Sequence, residues 1–203
     1  MGQVAIGVVL ENALAFDVKV KSVATELHSA AVDLFRQLNE ARIDYLLVGG
    51  LALLSYVPGR NTQDVDLLVN ARDLPQVPGQ PVRRDRDFGH AQFRGIRIDL
   101  RFADNPLFGE VLANERASLQ FGEQEVPAAS RLGLLLLRLY ALPSLYRQGN
   151  LARAALYEAD VRMLLLGASV DEDALFERLA PHMPKADIEE LRRIVTEQRA
   201  RRF

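Results

Sequence analysis

The sequence predicts an α+β fold, in which a small mixed sheet with packed helices is followed by a helical subdomain. Three observations support this prediction. The segment Tyr45–Val48 is apolar throughout, which is typical of a central strand covered on both faces. The segment Ile96–Phe102 alternates apolar and charged residues, as a strand with one buried face does. From Ser130 onward the pattern is helical, so helices follow the sheet at the end of the chain.

The composition is that of a globular protein with a substantial core. The chain has 203 residues, 49% of them hydrophobic, and a formal net charge of −2, which does not by itself indicate nucleic-acid binding. It contains no cysteine, so a disulfide framework and a thiolate metal site are excluded. The apolar start, Met1 to Leu10, lacks a basic flank and is too short for export or membrane spanning. We therefore expect a cytoplasmic protein with no membrane partner.

We expect three segments along the chain. Residues 1–21 are predicted to form an appended hairpin, with strands at 4–10 and 13–20, which covers a sheet edge or mediates dimerisation. Residues 22–129 are predicted to carry the sheet, after a helix that Ser22 caps and that ends near Glu40. Residues 130–203 are predicted to be a helical subdomain, with helices at 131–142, 151–166, 171–179 and about 186–200.

Two hairpins and one loop are predicted within the sheet segment. Residues 90–93 are expected to pair with the strand that ends at Phe102, around a turn at Arg94-Gly95. A second hairpin is expected between residues 117–121 and 125–127. Residues 70–89 contain three prolines and a run of charged residues, which predicts a loop or lid.

The first candidate functional feature is the glycine pair that follows the buried strand. Gly49 and Gly50 lead directly into a helical pattern that begins at Leu51. Glycines at a strand-to-helix turn let the backbone approach a ligand closely, and the first N–H groups of a helix are available to an anion. The turn therefore suits phosphate oxygens, although such a pair can equally be just a tight corner.

The second feature is a pair of carboxylates separated by one residue. On a strand, Asp64 and Asp66 point to the same side, while Val65, Leu67 and Val69 point into the core. Two adjacent carboxylates repel each other unless a cation lies between them, and Mg²⁺ or Mn²⁺ with oxygen ligands is the usual solution. The alternative is a solvated strand end, which the apolar residues that follow make less favourable.

A third carboxylate completes the candidate site. Two-metal sites need a further carboxylate as base or shared ligand, and Asp99 is the best candidate because it lies on the polar side of an alternating strand. The alternative is that Asp99 simply pairs with Arg97 or Arg101 on an exposed face. The presence of Asp64 and Asp66 favours the catalytic interpretation.

These motifs, in this order, resemble those of the DNA polymerase β-like nucleotidyltransferase superfamily. The shared pattern is Gly-Gly-x-Ala-Leu, then Arg-x-Thr-x-Asp-x-Asp-Leu-Leu, then a lone Asp on an amphipathic strand. Within the superfamily, the chain is most similar to small bacterial AbiEii-type and minimal nucleotidyltransferase proteins. The resemblance covers residues 43–102 and extends more loosely over residues 130–166, where Leu134 to Leu142 would be a leucine-rich helix and Asp160 an acidic residue on the next.

The resemblance implies a nucleotidyltransferase fold, with residues 22–129 as the catalytic domain, and a role for each carboxylate. Gly49 and Gly50 would cradle the triphosphate, Asp64 and Asp66 would hold two Mg²⁺ or Mn²⁺ ions, and Asp99 would complete the metal site and activate the acceptor hydroxyl. The reaction would be in-line attack of an acceptor oxygen on the α-phosphorus of a nucleoside triphosphate, with pyrophosphate leaving.

Three further residues are assigned by the resemblance. Arg60 and Thr62, just before the carboxylate pair, would support the phosphates or brace the loop. Arg138 would occupy the place where relatives often carry a lysine on the leucine-rich helix; it keeps the charge, or it extends out of an otherwise apolar helix. Many members of the superfamily have Gly-Ser in place of Gly49-Gly50, so a serine contact to phosphate is absent here.

The acceptor is left open by the sequence. The superfamily suggests RNA or tRNA, a protein hydroxyl, or a small molecule. The arginines of the last helix would suit RNA, but the glutamates interleaved with them favour an ordinary solvated helix. The chain could also be a toxin–antitoxin component, a binding partner with little turnover, or an oligomerising module such as a homodimer. The intact carboxylates Asp64, Asp66 and Asp99 favour an active enzyme.

Overall fold

The computed structural model describes residues 18–57, 62, 64–166 and 169–200. The chain divides into two compact units, Met1–Ala129 and Ser130–Phe203. The predicted hairpin of residues 1–21 lies outside the described residues up to residue 17. Among the helices of the described ranges, none combines the length and apolar content needed to cross a membrane.

The first unit is built on a seven-stranded mixed sheet. The strands lie in the order β3-β4-β5-β2-β1-β7-β6; β2 is parallel to β5 and β1 to β7, and the other neighbours are antiparallel. The elements are α1 (Val18–Glu40), β1 (Tyr45–Val48), α2 (Gly49–Leu53), β2 (Val65–Val69), a 3₁₀ helix (Ala71–Gln76), β3 (Gln80–Arg84), β4 (Phe88–Phe93), β5 (Ile96–Phe102), α3 (Pro106–Asn114), β6 (Arg116–Phe121) and β7 (Gln124–Ala129). This mixed sheet with packed helices confirms the predicted fold class.

The centre of the sheet is apolar because β1 has a neighbour on each side and is covered on both faces. All four of its residues are buried, as the sequence predicts. The ring of Phe35 on α1 packs 6.5 Å from that of Tyr45 and 5.1 Å from that of Phe121, so α1 covers one face of the sheet. Aromatic pairs at these separations add to the stability that burial provides.

Both predicted hairpins are present. Strands β4 and β5 are joined by Arg94 and Gly95, whose φ angles of 48° and 85° belong to a two-residue turn with left-handed central residues. Strands β6 and β7 form the second hairpin and are longer than the sequence pattern indicates. Such turns match the twist of the flanking strands, so the hairpins could be predicted from local sequence.

Three predictions for the first unit were wrong. Residues 70–89 are not a loop or lid, because they contain a 3₁₀ helix, the edge strand β3 and the start of β4. Prolines are tolerated at an edge strand, since one side of the strand makes no ladder bonds. Residues 18–20, expected in a strand, belong to α1, which therefore contains Ser22 rather than beginning at it.

The helix α3 was not predicted; Asn105 caps it by accepting from the N–H groups of Leu107 and Phe108.

The second unit is helical throughout its described elements. These are α4 (Arg131–Arg147), α5 (Leu151–Leu166), α6 (Glu172–Leu179), a 3₁₀ helix (Ala180–His182) and α7 (Lys185–Ala200). Ser130 caps α4 by accepting from the N–H of Gly133, and Asp171 caps α6 by accepting from that of Ala174. The prediction that the first of these helices stops near Pro143 was wrong, since α4 continues to Arg147 with the fully buried Leu142 holding it in the core.

Candidate active site

Asp66 is more enclosed than Asp99, with 13% of its side chain exposed against 28%. Its Oδ1 accepts from Nη1 of Arg101 at 2.8 Å, and its Oδ2 accepts from the backbone N–H of Gly50 at 3.3 Å. Only 13% of the Asp66 side chain and 15% of the Arg101 side chain are exposed. The carboxylate is therefore anchored on one side by a guanidinium and on the other by the glycine turn, in surroundings where a charge pair is weakly screened.

Asp66 and Thr62 leave no room for a side chain at Gly49 or at Gly50. Gly49 has a φ of +66°, and a Cβ added to it would lie 1.9 Å from Asp66 Oδ2. A Cβ added to Gly50 would lie 2.6 Å from the Thr62 Oγ1. The close approach that the sequence suggests for a phosphate is thus made by protein side chains in this structure, and the five-residue α2 offers its Gly50 N–H to Asp66.

Asp99 lies beside Asp66 on the neighbouring strand. The parallel pairing of β2 with β5 sets these two residues directly opposite each other, in register. Since neighbouring strands lie about 4.8 Å apart, the two side chains project side by side from the same face of the sheet. The sheet topology therefore brings together two carboxylates that are far apart in sequence.

Arg97 is the guanidinium that faces the carboxylate group. Its Nε donates to Asp99 Oδ1 at 2.7 Å, and its side chain is 54% exposed. The pKa of Arg97 is raised, first by the hydrogen bond to Asp99 and its charge, and further by the charges of Asp64 and Asp66. All three predicted carboxylates therefore act on one exposed arginine. The alternative considered for Asp99, an ion pair with a neighbouring arginine, is present with Arg97, whereas Arg101 pairs with Asp66.

The other predicted site residues are distributed as follows. Thr62 donates through Oγ1 to the backbone carbonyl of Asp64 at 3.3 Å, so it braces the loop that leads to β2. Arg60 lies outside the described residues. Arg138 lies in the second unit and is 6% exposed; its Nε is 3.0 Å from Asp160 Oδ2, and its guanidinium carbon lies 4.0 Å from the Tyr157 ring centroid. The buried pair explains why a charge is retained in this helix, and a nucleotide-binding role for Arg138 stays a prediction.

The donor set suits a hard divalent cation in its chemistry. Asp64, Asp66 and Asp99 supply carboxylate oxygens, the ligands that Mg²⁺ and Mn²⁺ prefer. Within the part of the chain that the structure describes, however, no three acidic, histidine or cysteine side chains are gathered closely enough to hold a metal ion. One oxygen of Asp66 accepts from Arg101, and one oxygen of Asp99 accepts from Arg97.

Two residues near the carboxylates were not assigned from the sequence. Arg101 pairs with Asp66, and His90 on β4 lies directly opposite Asp99 across the antiparallel ladder. The alternation of β5 places Arg101 on the same face as Asp99, so the sequence contained a signal for the first. No local signal existed for His90, because its partner depends on the pairing register.

Comparisons with solved structures agree with this architecture. The chain is similar to an antigenic nucleotidyltransferase-like protein from Paracoccidioides brasiliensis, with a TM-score of 0.58 and 17% identity over 87% of this chain and 89% of that one. The chain has the nucleotidyltransferase fold. It is also similar to the antibiotic-resistance factor ANT(2'')-Ia in solution, with a TM-score of 0.55 and 11% identity over 87% of this chain and 94% of that one.

A second structure of the same resistance factor, in complex with adenylyl-2''-tobramycin, matches with a TM-score of 0.50 and 9% identity over 85% of this chain and 97% of that one. No protein-family model matches the sequence, and a search of curated proteins finds no match. The nucleotidyltransferase fold is thus established by structure at low sequence identity. A particular similarity to AbiEii-type proteins stays a prediction.

Proposed function

We propose that this chain is a metal-dependent nucleotidyltransferase, which moves a nucleoside monophosphate from a nucleoside triphosphate to an acceptor hydroxyl. The observation that carries this proposal is the in-register placement of Asp66 and Asp99 on parallel neighbouring strands, beside the Gly49-Gly50 turn. Proteins with this fold include a resistance factor whose structure contains an adenylylated aminoglycoside. The chemistry of the carboxylates supports the same class of reaction here.

Asp64, Asp66 and Asp99 would hold Mg²⁺ or Mn²⁺, in a site for two ions. When bound, the metal supplies positive charge to the triphosphate and to the leaving pyrophosphate. Asp99 would accept the proton of the acceptor hydroxyl as that oxygen forms a bond to the α-phosphorus and the bond to the pyrophosphate oxygen breaks. Its half-buried position, with one oxygen on Arg97, leaves it accessible to an acceptor.

Arg97 and Arg101 would have two roles in this scheme. Before the nucleotide binds, they neutralise carboxylates that would otherwise repel each other. Once those carboxylates take up metal, the guanidiniums would be released and could donate to phosphate oxygens, which arginine binds with two parallel hydrogen bonds. Thr62 would keep the loop before β2 in place.

The test is label transfer from each of the four nucleoside triphosphates, labelled at the α-phosphate, with Mg²⁺ and total cellular RNA or protein. We expect transfer by the wild-type chain and a loss of at least a hundredfold in Asp66→Asn and in Asp99→Asn, because each removes a metal ligand. The matched control is Asp104→Asn, an exposed aspartate in the turn after β5. Equal loss in the control, or transfer that survives both substitutions, would contradict the proposed site.

A second function is favoured by one observation. Because Asp66 and Asp99 are both held by arginine, the fold could serve as a binding partner with little turnover, for example in a toxin–antitoxin pair or as a homodimer. This alternative predicts triphosphate binding without transfer to any acceptor. It also predicts a stable complex with a cognate protein, or with a second copy, which size-exclusion chromatography with light scattering would detect.

A further inference from the structure

The face of the sheet that carries Asp99 continues across β4 to the edge strand β3. The antiparallel register sets His90 opposite Asp99 and Gln92 opposite Arg97 on β4. It then sets Arg83 opposite His90 and Gln80 opposite Gln92 on β3. Directly paired residues point to the same side of a sheet, so one continuous surface leads from the candidate catalytic carboxylate to the sheet edge. We call this surface the β3–β5 face.

The β3–β5 face is basic except at the carboxylate itself. The three strands contain four arginines and one histidine, against a single acidic residue, Asp99. Of these arginines, Arg83 is exposed and Arg97 is 54% exposed on this face. Arg84 faces the other way, with its guanidinium carbon 5.1 Å from the Phe102 ring centroid, and Arg101 is enclosed with Asp66.

The β3–β5 face also offers an exposed aromatic ring. Phe88 pairs with Arg101 and is 48% exposed, which is high for a phenylalanine, although its ring touches that of Phe108 edge-on at 5.7 Å. His90, two residues after Phe88, is the next residue of β4 on the same face. Flat side chains beside arginines on an open sheet are the combination on which single-stranded nucleic acids bind, bases on the rings and phosphates on the guanidiniums.

We propose that the acceptor is a single-stranded nucleic acid, bound across the β3–β5 face with its terminal hydroxyl at Asp99. Arg97 and Arg83 lie two strands apart, about 10 Å from strand spacing alone, so both are served by a ligand with more than one phosphate. A polycationic acceptor such as an aminoglycoside would place its ammonium groups beside these guanidiniums, which electrostatic repulsion opposes. The role as acceptor rests on the proposed function, whereas binding does not.

The test measures binding without nucleotide or metal. A fluorescent single-stranded oligoribonucleotide of mixed sequence is titrated with the full chain by fluorescence anisotropy, at several salt concentrations. We expect the affinity to fall linearly with salt on a logarithmic plot. Arg83→Gln should weaken binding about fivefold and reduce the salt slope by about one, because one phosphate contact is lost. Arg72→Gln, a substitution of an 82% exposed arginine outside the three strands, should change neither.

A second variant separates stacking from charge. Phe88→Ala should weaken binding about tenfold and leave the salt slope unchanged, since base stacking does not depend on counterion release; circular dichroism checks that it remains folded. A DNA strand of the same sequence tests whether the sugar matters, and equal binding of both supports the shared phosphodiester chemistry.

The proposal is overturned if the wild-type chain binds neither strand at low salt. It is also overturned if Arg72→Gln lowers the affinity for RNA as much as Arg83→Gln does, or if label passes to tobramycin rather than to RNA. Strong RNA binding without any label transfer would contradict the proposed function and leave the binding surface supported. Transfer to another acceptor without RNA binding would support the proposed function and contradict the β3–β5 face as a binding surface.

Discussion

Gly49 is the position at which a single methyl group should do most damage to the candidate site. A Cβ there would lie 1.9 Å from Asp66 Oδ2 and 2.6 Å from the Asp66 Cβ. Rotation of the Asp66 side chain could move its oxygens but not its Cβ, so the end of β1 and the start of β2 must separate. The separation would break the Gly50 contact and pull Asp66 away from Arg101.

The expected loss of stability has two parts. An L-residue at a φ of +66° is strained by about 1 kcal/mol. Disrupting the enclosed pair of Asp66 with Arg101 adds about 2 kcal/mol, less than the loss when one partner of a buried pair is deleted, because the carboxylate can reach solvent. The total of about 3 kcal/mol corresponds to a fall in melting temperature of about 10 °C for a domain of this size.

The assay is thermal unfolding followed by circular dichroism, since the chain has no tryptophan. Two glycines provide matched controls: Gly149 has a φ of +67° and Gly95 a φ of +85°, and neither has an atom within 4 Å of an added Cβ. Alanine at either should therefore cost only the backbone strain, about 1 kcal/mol. If Gly49→Ala is no less stable than these controls, the close approach of Asp66 to the turn is wrong.

Three further predictions concern ion pairs and one hydroxyl. Arg101→Gln removes a cation from Asp66, so Mn²⁺ should bind several-fold more tightly by calorimetry, while the melting temperature in chelator falls; weaker Mn²⁺ binding would contradict the competition between guanidinium and metal. Asp160→Asn leaves the buried Arg138 without its partner charge and should lower the free energy of unfolding in denaturant by about 3 kcal/mol. The control is Asp187→Asn, whose partner Arg147 is exposed; it should lower that free energy by less than about 1 kcal/mol. Tyr146 is 37% exposed, but partial desolvation of its hydroxyl, with the hydrogen bond to Glu158, raises its pKa from 10.0 to about 12. The folded chain therefore keeps a proton that the unfolded chain loses. The free energy of unfolding should therefore fall between pH 10 and 12. Tyr146→Phe should lessen that fall and remove one phenolate step near pH 12 from the ultraviolet titration. An unchanged titration in the variant would refute this assignment.

Much of the first unit could be predicted because its signals are local. The apolar run at β1, the alternation of β5 and the Arg94-Gly95 turn each act over a few residues, and all three are present in the structure. The alternation also placed Asp99 on a polar face correctly. Residues 70–89 were misjudged because prolines and charges are typical of loops and also of edge strands.

The geometry of the site depends on pairing that no local pattern specifies. Asp66 and Asp99 meet because β2 and β5 are parallel neighbours in one particular register, and this follows from the whole sheet. The choice of Arg97 for Asp99 and of Arg101 for Asp66 depends on the same register. The glycine pair illustrates the limit best: its position was read correctly, but Gly49 makes room for Asp66, which only the folded chain reveals.

The pairing of β1 with β7 has a consequence for how the protein is made. Leu47 lies opposite Ala128, so the first strand of the sheet acquires its second neighbour only when the last strand of that unit has been synthesised. Until then, one edge of an entirely apolar strand is unpaired on the nascent chain, which is the condition under which chains associate wrongly. We therefore expect fragments that end before Gln124 to aggregate, and the slow step in refolding to be the insertion of the hairpin of β6 and β7 rather than formation of the local hairpin of β4 and β5.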